Sequence, residues 1–230
     1  ETTFSDTWSL SSNQDWVKFH LGNNTAGKSS YISGEGEDND ERYVYVTVDH
    51  NFNTGSSDRT ATVTVRDEFK GTSKSFTISQ DPFVFDVTGS STTTVGPLEE
   101  KAVTYNIKVT EGAPWRLNLT GDTQLIASGY TANGTGTGAA ETVTLTTRNV
   151  PEVNKTRSAT VKVSVDGSTL SKTFTVKQNE YRFKVDKSSL NKFDELNPAS
   201  QNFTVTSDGS FSVNAPDWVS VTYTGNVYTV

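Results

Sequence analysis

Apolar side chains stand at alternate positions in one short segment after another, the period-2 pattern of half-buried β-strands. Tyr43-Val-Tyr45-Val-Thr47-Val48 carries it, and so do residues 61–65, 75–79, 103–109, 141–146, 160–165 and 173–177. Turn residues separate these segments: Gly121-Asp122, Asp166-Gly167, Asp208-Gly209 and Thr224-Gly225-Asn226. Asp166-Gly167 and Asp208-Gly209 predict tight hairpins, because glycine accepts the positive φ such turns require. The six prolines fall in loops or at segment edges, where no ladder hydrogen bond is lost. No stretch carries a helical stripe. The pattern predicts an all-β protein.

The pattern also repeats. Residues 59–87 return as 157–185 without a gap at an offset of 98, and 12 of the 29 pairs are identical. Arg59-Thr-Ala61-Thr-Val63-Thr-Val65 becomes Arg157-Ser-Ala159-Thr-Val161-Lys-Val163, and Phe76-Thr-Ile78-Ser-Gln80 becomes Phe174-Thr-Val176-Lys-Gln178. Phe83-x-Phe85-x-Val87 becomes Tyr181-x-Phe183-x-Val185. A period of about 100 residues is one sandwich domain, far longer than a solenoid unit. The expected architecture is a tandem array of immunoglobulin-like β-sandwiches.

Three copies can be overlaid. Trp8-x-Leu10 corresponds to Trp115-x-Leu117 and Phe211-x-Val213, which predicts these aromatics to be core residues of one repeated strand. Asp15-Trp16-Val17-x-Phe19 corresponds to Asp217-Trp218-Val219-x-Val221, with Leu125-Ile126 in the second copy. The domains expected are 1–82, short of its opening strands, 83–180, complete, and 181–230, a first half. Half a sandwich cannot bury its inner face. Either the chain is a piece of a longer array, or strands of the third copy complete the first copy of a neighbour. The joints at Gln80-Asp81-Pro82-Phe83 and Gln178-Asn179-Glu180-Tyr181 hold no Gly/Ser run, which predicts a semi-rigid array. Arg59, Arg157, Gln80 and Gln178 recur at equivalent places, which assigns them to bracing loop carbonyls or the joint.

The order of these motifs resembles the BACON domain. An aromatic-x-aliphatic strand is followed by Asp-Trp-Val-x-Phe/Val, a Gly-rich loop, an alternating strand, and an Asn some eight residues before Arg-x-Ala-Thr-Val-x-Val. Phe-Thr-Ile/Val-x-Gln closes the run. The resemblance implies an exported immunoglobulin-like module of Bacteroidetes surface proteins, often joined to carbohydrate-active modules, and related domains in virions of phages that infect such bacteria. The family's name proposes carbohydrate or mucin binding. No family binding residue carries over position by position.

Composition narrows the chemistry. Hydrophobic residues are only 32% of the chain, while Thr, Ser, Val and Gly are abundant, a composition for strands with one polar face. The net charge of −7 comes without a basic patch, which argues against nucleic acid as a partner. No apolar run is long enough to cross a bilayer as a helix. The absence of cysteine removes disulfides, thiolate nucleophiles and zinc–thiolate sites. The two histidines, His20 and His50, lie in different segments and read as surface or loop residues rather than ligands. No Gly-x-Ser-x-Gly elbow is present. A non-enzymatic chain without a cofactor is expected.

Two further features bear on binding. The loop Glu35-Gly-Glu37-Asp38-Asn-Asp40-Glu41 concentrates the hard oxygen ligands that calcium takes. It lacks the spacing of a recognised calcium loop and reads as a solvated acidic loop, with Glu37, Asp38 and Asp40 as its calcium candidates. Aromatic rings are the natural platforms for sugars. Tyr31 and Tyr130 in Gly-rich regions, and Trp16 and Trp218 after aspartates, are the ligand-binding candidates. Tyr43 and Tyr45 share one strand face, which predicts cross-strand packing. Two functions follow: an extracellular or cell-surface array that binds a glycan or mucin, or a spacer between neighbouring domains of a longer chain.

Overall fold

A computed structural model describes residues 7–22, 28–36, 41 and 43–230. The calcium candidates Glu37, Asp38 and Asp40 lie outside the described residues. The chain divides into two compact units, 1–84 and 85–230. No described helix is long and apolar enough to cross a membrane. The architecture is all-β, built of immunoglobulin-like sandwich layers.

In the first unit, β1 (Thr7–Ser12), β3 (Tyr31–Glu35), β5 (Arg59–Asp67) and β6 (Thr72–Gln80) form one antiparallel sheet in the order β3-β1-β5-β6. β2 (Val17–Leu21) and β4 (Val44–Val48) pair as a two-stranded sheet. The alternation does the work expected of it: Leu10, Val17, Phe19, Ala61 and Val63 are buried, and Trp8, Trp16, Ile32, Val44 and Ile78 pack against them.

The second unit is more complete. β7 (Phe85–Thr88), β9 (Ala102–Val109) and β12 (Ala140–Thr146) form a sheet ordered β12-β9-β7. A second sheet, β11-β10-β13-β14-β8, holds β8 (Thr92–Val95), β10 (Pro114–Gly121), β11 (Asn133–Thr135), β13 (Arg157–Val165) and β14 (Ser171–Gln178). β8 runs parallel to β14, and the other pairings are antiparallel. Val103, Tyr105, Ile107 and Val109 of β9 are buried, as are Val161, Val163, Phe174 and Val176 of the other sheet. The rings of Tyr105 and Phe174 meet at 4.6 Å between centroids.

Trp8 and Trp115 occupy equivalent places, and each lies flat against a glycine across the sheet. A Cβ on Gly34 would stand 2.8 Å from the Trp8 ring, and one on Gly134 2.7 Å from the Trp115 ring. These glycines are there because nothing larger fits.

The rest of the second unit is a small sheet, β15-β16-β18-β17, made of β15 (Phe183–Val185), β16 (Asn202–Ser207), β17 (Thr222–Thr224) and β18 (Val227–Thr229). Gly225 at φ 60° turns β17 tightly into β18. Two expectations fail here. Asp208-Gly209 joins no two strands; the Asp208 carboxylate instead accepts hydrogen bonds from the backbone N–H and guanidinium of Arg182. Phe211-x-Val213 forms no strand, and Phe211 is exposed rather than core. Trp8 and Trp115 are backed by β5 and β13, and no such strand stands beside Phe211 among the described residues. Asp166-Gly167 does join two strands, β13 and β14, through a longer loop closed by Val165 N–H donating to the Leu170 carbonyl.

Candidate functional site

Alternation on β10 sends Trp115 and Leu117 inward and leaves Arg116 and Asn118 outside. The neighbouring strands β11 and β13 add Asn133 and the turn residue Asp166. Two surface cavities, of about 520 Å³ and 480 Å³, adjoin here and share Leu117, Asn118 and Ala132. The first is lined by Arg116, Asn133 and Asp166, the second by Thr123, Ser128, Tyr130 and Arg148. Together they form one groove, Tyr130 lining one cavity and the Arg116–Asp166 pair the other.

The ion pair joins Arg116 Nη2 to Asp166 Oδ2 at 2.5 Å, and this hydrogen bond, with the Asp166 charge, raises the guanidinium above its already high range. Arg116 is therefore a fixed cation with donors to spare. Asn118 and Asn133 each bring a donor and an acceptor, and Ser128 and Thr123 bring hydroxyls. A tyrosine ring beside such groups suits a ligand with one apolar face and many hydroxyls.

Of the candidates read from the sequence, Tyr130 lines this groove. Tyr31 is 53% exposed on the edge strand β3 of the first unit. It begins a row across the sheet, Tyr31–Ser11–Thr64–Ser75, beside a second row, Ser33–Ser9–Arg66–Ser73. That face is rich in hydroxyls, with Ser9 buried beneath Glu68, to which its hydroxyl donates. Trp16 packs against the first unit's core, with the Arg59 guanidinium 4.2 Å above its ring. Trp218 is 85% exposed in a turn. Among the described residues none of the four rings contacts another. Arg116, Asn118, Asn133, Arg148 and Asp166 escaped the sequence reading. The signal available for two of them was the outward phase of β10, which marks Arg116 and Asn118 as solvent-facing.

His20 is not a surface residue. It is buried on β2, where its Nδ1 lies 2.9 Å from the Gly22 carbonyl oxygen and its ring stacks on Tyr45, its cross-strand partner. This is the packing predicted for Tyr45. His50 is exposed. Among the described residues, no three His, Cys, Asp or Glu side chains cluster to hold a metal.

The repeated Arg and Gln brace loops. Arg157 donates to the Val150 carbonyl, and Gln178 Nε2 to the carbonyls of Pro97 and Arg148. Arg59 donates to Gln80 Oε1 and to the Asp49 carbonyl. Asn51, the asparagine eight residues before Arg59, donates to the Asp81 carbonyl and accepts from the Asn53 N–H.

Residues 6–81 match the BACON family, described as "Putative binding domain, N-terminal". The first unit is a BACON domain. No curated protein matches the chain. Among solved structures, the chain is similar to a protein of unknown function from Porphyromonas gingivalis, at 13% identity and a TM-score of 0.29 over 76% of this chain and 86% of that one. It is similar to a three-domain immunoglobulin fragment of titin, at 9% identity and a TM-score of 0.39 over 99% and 87%. It is also similar to an endo-fucoidan hydrolase of glycoside hydrolase family 107, at 14% identity and a TM-score of 0.27 over 96% of this chain and 33% of that one. The BACON match ends at the joint, and the groove lies on the repeat that follows it.

Proposed function

We propose that the chain is a non-catalytic array of BACON-type domains, displayed outside a Bacteroidetes cell, that binds a carbohydrate or mucin glycan. The observation that carries this reading is the groove on β10 and β11. Its two adjoining cavities of about 520 and 480 Å³ put Tyr130 in line with Asn118, Asn133 and the Arg116–Asp166 pair. Each cavity falls within the roughly 300–1,000 Å³ of small-molecule sites. A sugar ring stacks on Tyr130 and its hydroxyls take the amides and the guanidinium. The reading extends the family to the second unit on the strength of the gapless repeat.

Affinity electrophoresis against plant polysaccharides and mucin glycans tests it, with Tyr130→Ala, Arg116→Ala and Tyr31→Ala run singly. One glycan retards the wild type, and Tyr130→Ala weakens it about tenfold or more, equivalent to about 1.4 kcal/mol. Loss in Tyr31→Ala alone moves the site to the hydroxyl face of the first unit. No retardation by any glycan overturns the reading and leaves an array that spaces other domains.

A further inference from the structure

The chain is acidic, with 27 Asp and Glu against 20 Lys and Arg, but one of its sheets is not. The strands β11-β10-β13-β14-β8 carry Arg116, Arg157, Lys162, Lys172 and Lys177 and no Asp or Glu. Alternation sorts these cations. Arg157 shares the inward phase of Ala159 and is buried, and Lys172 shares that of Phe174, with its Nζ 5.9 Å from the ring centroid. Arg116, Lys162 and Lys177 take the outward phase and are exposed. They come from three strands, so no basic run in the sequence announces them.

Register ties this face to the groove. Lys162 stands opposite Asn118, which both cavities share. Lys177 stands opposite Ser158, four residues along β13 from Lys162, so the two lysines are about 14 Å apart at ordinary strand spacings. Between them Thr120, Thr160, Thr175 and Thr92 form a row across four strands. Arg148 adds a cation to the cavity that holds Tyr130. Among the described residues no ion pair engages Arg148, Lys162 or Lys177. The acids in the turns after β10 and β13 are occupied: Asp122 accepts from the Ser158 N–H, and Asp166 is held by Arg116. The first unit has Ser9, Thr64 and Ser79 where the second has Arg116, Lys162 and Lys177. The charge belongs to this copy, not to the fold.

We propose that the ligand of the groove is a polyanionic glycan, carboxylated or sulfated, whose chain runs from Tyr130 over the outward face to Lys162 and Lys177. This assignment rests on the glycan-binding reading above and adds the ligand's charge and length. Lysines spread over about 14 Å call for anionic groups repeated along a chain. The threonine row and Asn118 offer hydrogen bonds to sugar hydroxyls. A nucleic acid would demand a denser set of cations, with one for each neutralised phosphate.

Affinity electrophoresis of the whole chain tests the charge with matched polymers: polygalacturonate beside its methyl ester, and dextran sulfate beside dextran. A protein of net charge −7 is repelled by a polyanion as a whole, so retardation requires a local cationic face. One anionic polymer is expected to retard the wild type more than its neutral partner does, and sodium chloride to weaken the effect. Which of the two does so separates carboxylate from sulfate. Lys162→Thr and Lys177→Ser, which install the first unit's residues, each weaken binding about threefold, the scale of one exposed ion pair. Lys70→Thr, which removes the same charge from a turn of the first unit, leaves it unchanged. Equal or stronger retardation by the neutral partner overturns the proposal and leaves the glycan reading standing; no retardation by any glycan overturns both. Unaltered binding in Lys162→Thr and Lys177→Ser, or equal retardation by double-stranded DNA, also overturns it.

Discussion

Val65 and Val163 hold one place in the repeat, and Phe76 and Phe174 another, yet the first of each pair is half exposed and the second buried. The residues are identical and the strands that carry them are hydrogen-bonded in the same way, β5 to β6 and β13 to β14. What differs is the surroundings: the opposite layer, and β8, which pairs with β14 while β6 is the edge of its sheet among the described residues. In the second unit β7 and β9 lie over these side chains, and among the described residues of the first unit no strands take their place. Fully burying a Val or Phe side chain is worth about 1.5–3 kcal/mol, so about half of that is unrealised at each position of the first unit. A strand's apolar phase is a local property; what the phase is worth depends on a layer that arrives from elsewhere in the chain.

The comparison can be broken most directly at the phenylalanines. Phe174→Ala is expected to cost about 3–5 kcal/mol, the loss typical of a buried aromatic. Phe76→Ala, at a half-exposed ring, is expected to cost less than about 1 kcal/mol. Urea unfolding of the whole chain measures both, and equal losses would mean that the first unit is closed.

The glutamines give a smaller contrast. Gln178 is fully buried and donates to two loop carbonyls, whereas Gln80 is half-buried and serves the Arg59 guanidinium. Gln178→Ala leaves those carbonyls without their donor and costs about 1–3 kcal/mol. Gln80→Ala costs about 1 kcal/mol or less, because water reaches Arg59. Thermal melts order the two, and a larger drop for Gln80→Ala reverses the assignment of which brace matters.

The smallest effect lies on the outer face. Ser9 and Arg116 are equivalent, as are Glu68 and Asp166, so a hydroxyl-to-carboxylate hydrogen bond in one unit replaces an ion pair in the other. Ser9, and then Arg66, holds the Glu68 carboxyl below its ordinary 4.5. A lowered carboxyl contributes stability above its unfolded value, and this is lost as pH falls through the lowered folded one. Ser9→Ala is expected to bring the Glu68 titration back up, read by carboxyl-carbon NMR. An unmoved midpoint would assign the shift to Arg66 instead.

Much of this fold was legible beforehand because alternation and turn chemistry are local. All the strands predicted from period-2 runs are present, and the equivalence of Trp8 with Trp115 reappears in the glycines that face them. The failures came where a local pattern needed a distant partner. Phe211-x-Val213 has the right phase and no strand to pair with, and Asp208 is drawn away from a hairpin by Arg182. The site was read only in part. Tyr130 could be suspected as an aromatic in a loop, but Arg116, Asn118 and Asp166 become neighbours only when β10 and β13 pair.

By itself, the sequence determined the strand phases, the 98-residue repeat, and the braces formed by its Arg and Gln residues, since each follows from side-chain chemistry at fixed spacing. The tertiary structure alone decided which of two identical faces is covered, and which polar residues share a groove. Both depend on pairing between strands far apart in the chain, and a period of two carries no information about which strand will be the neighbour.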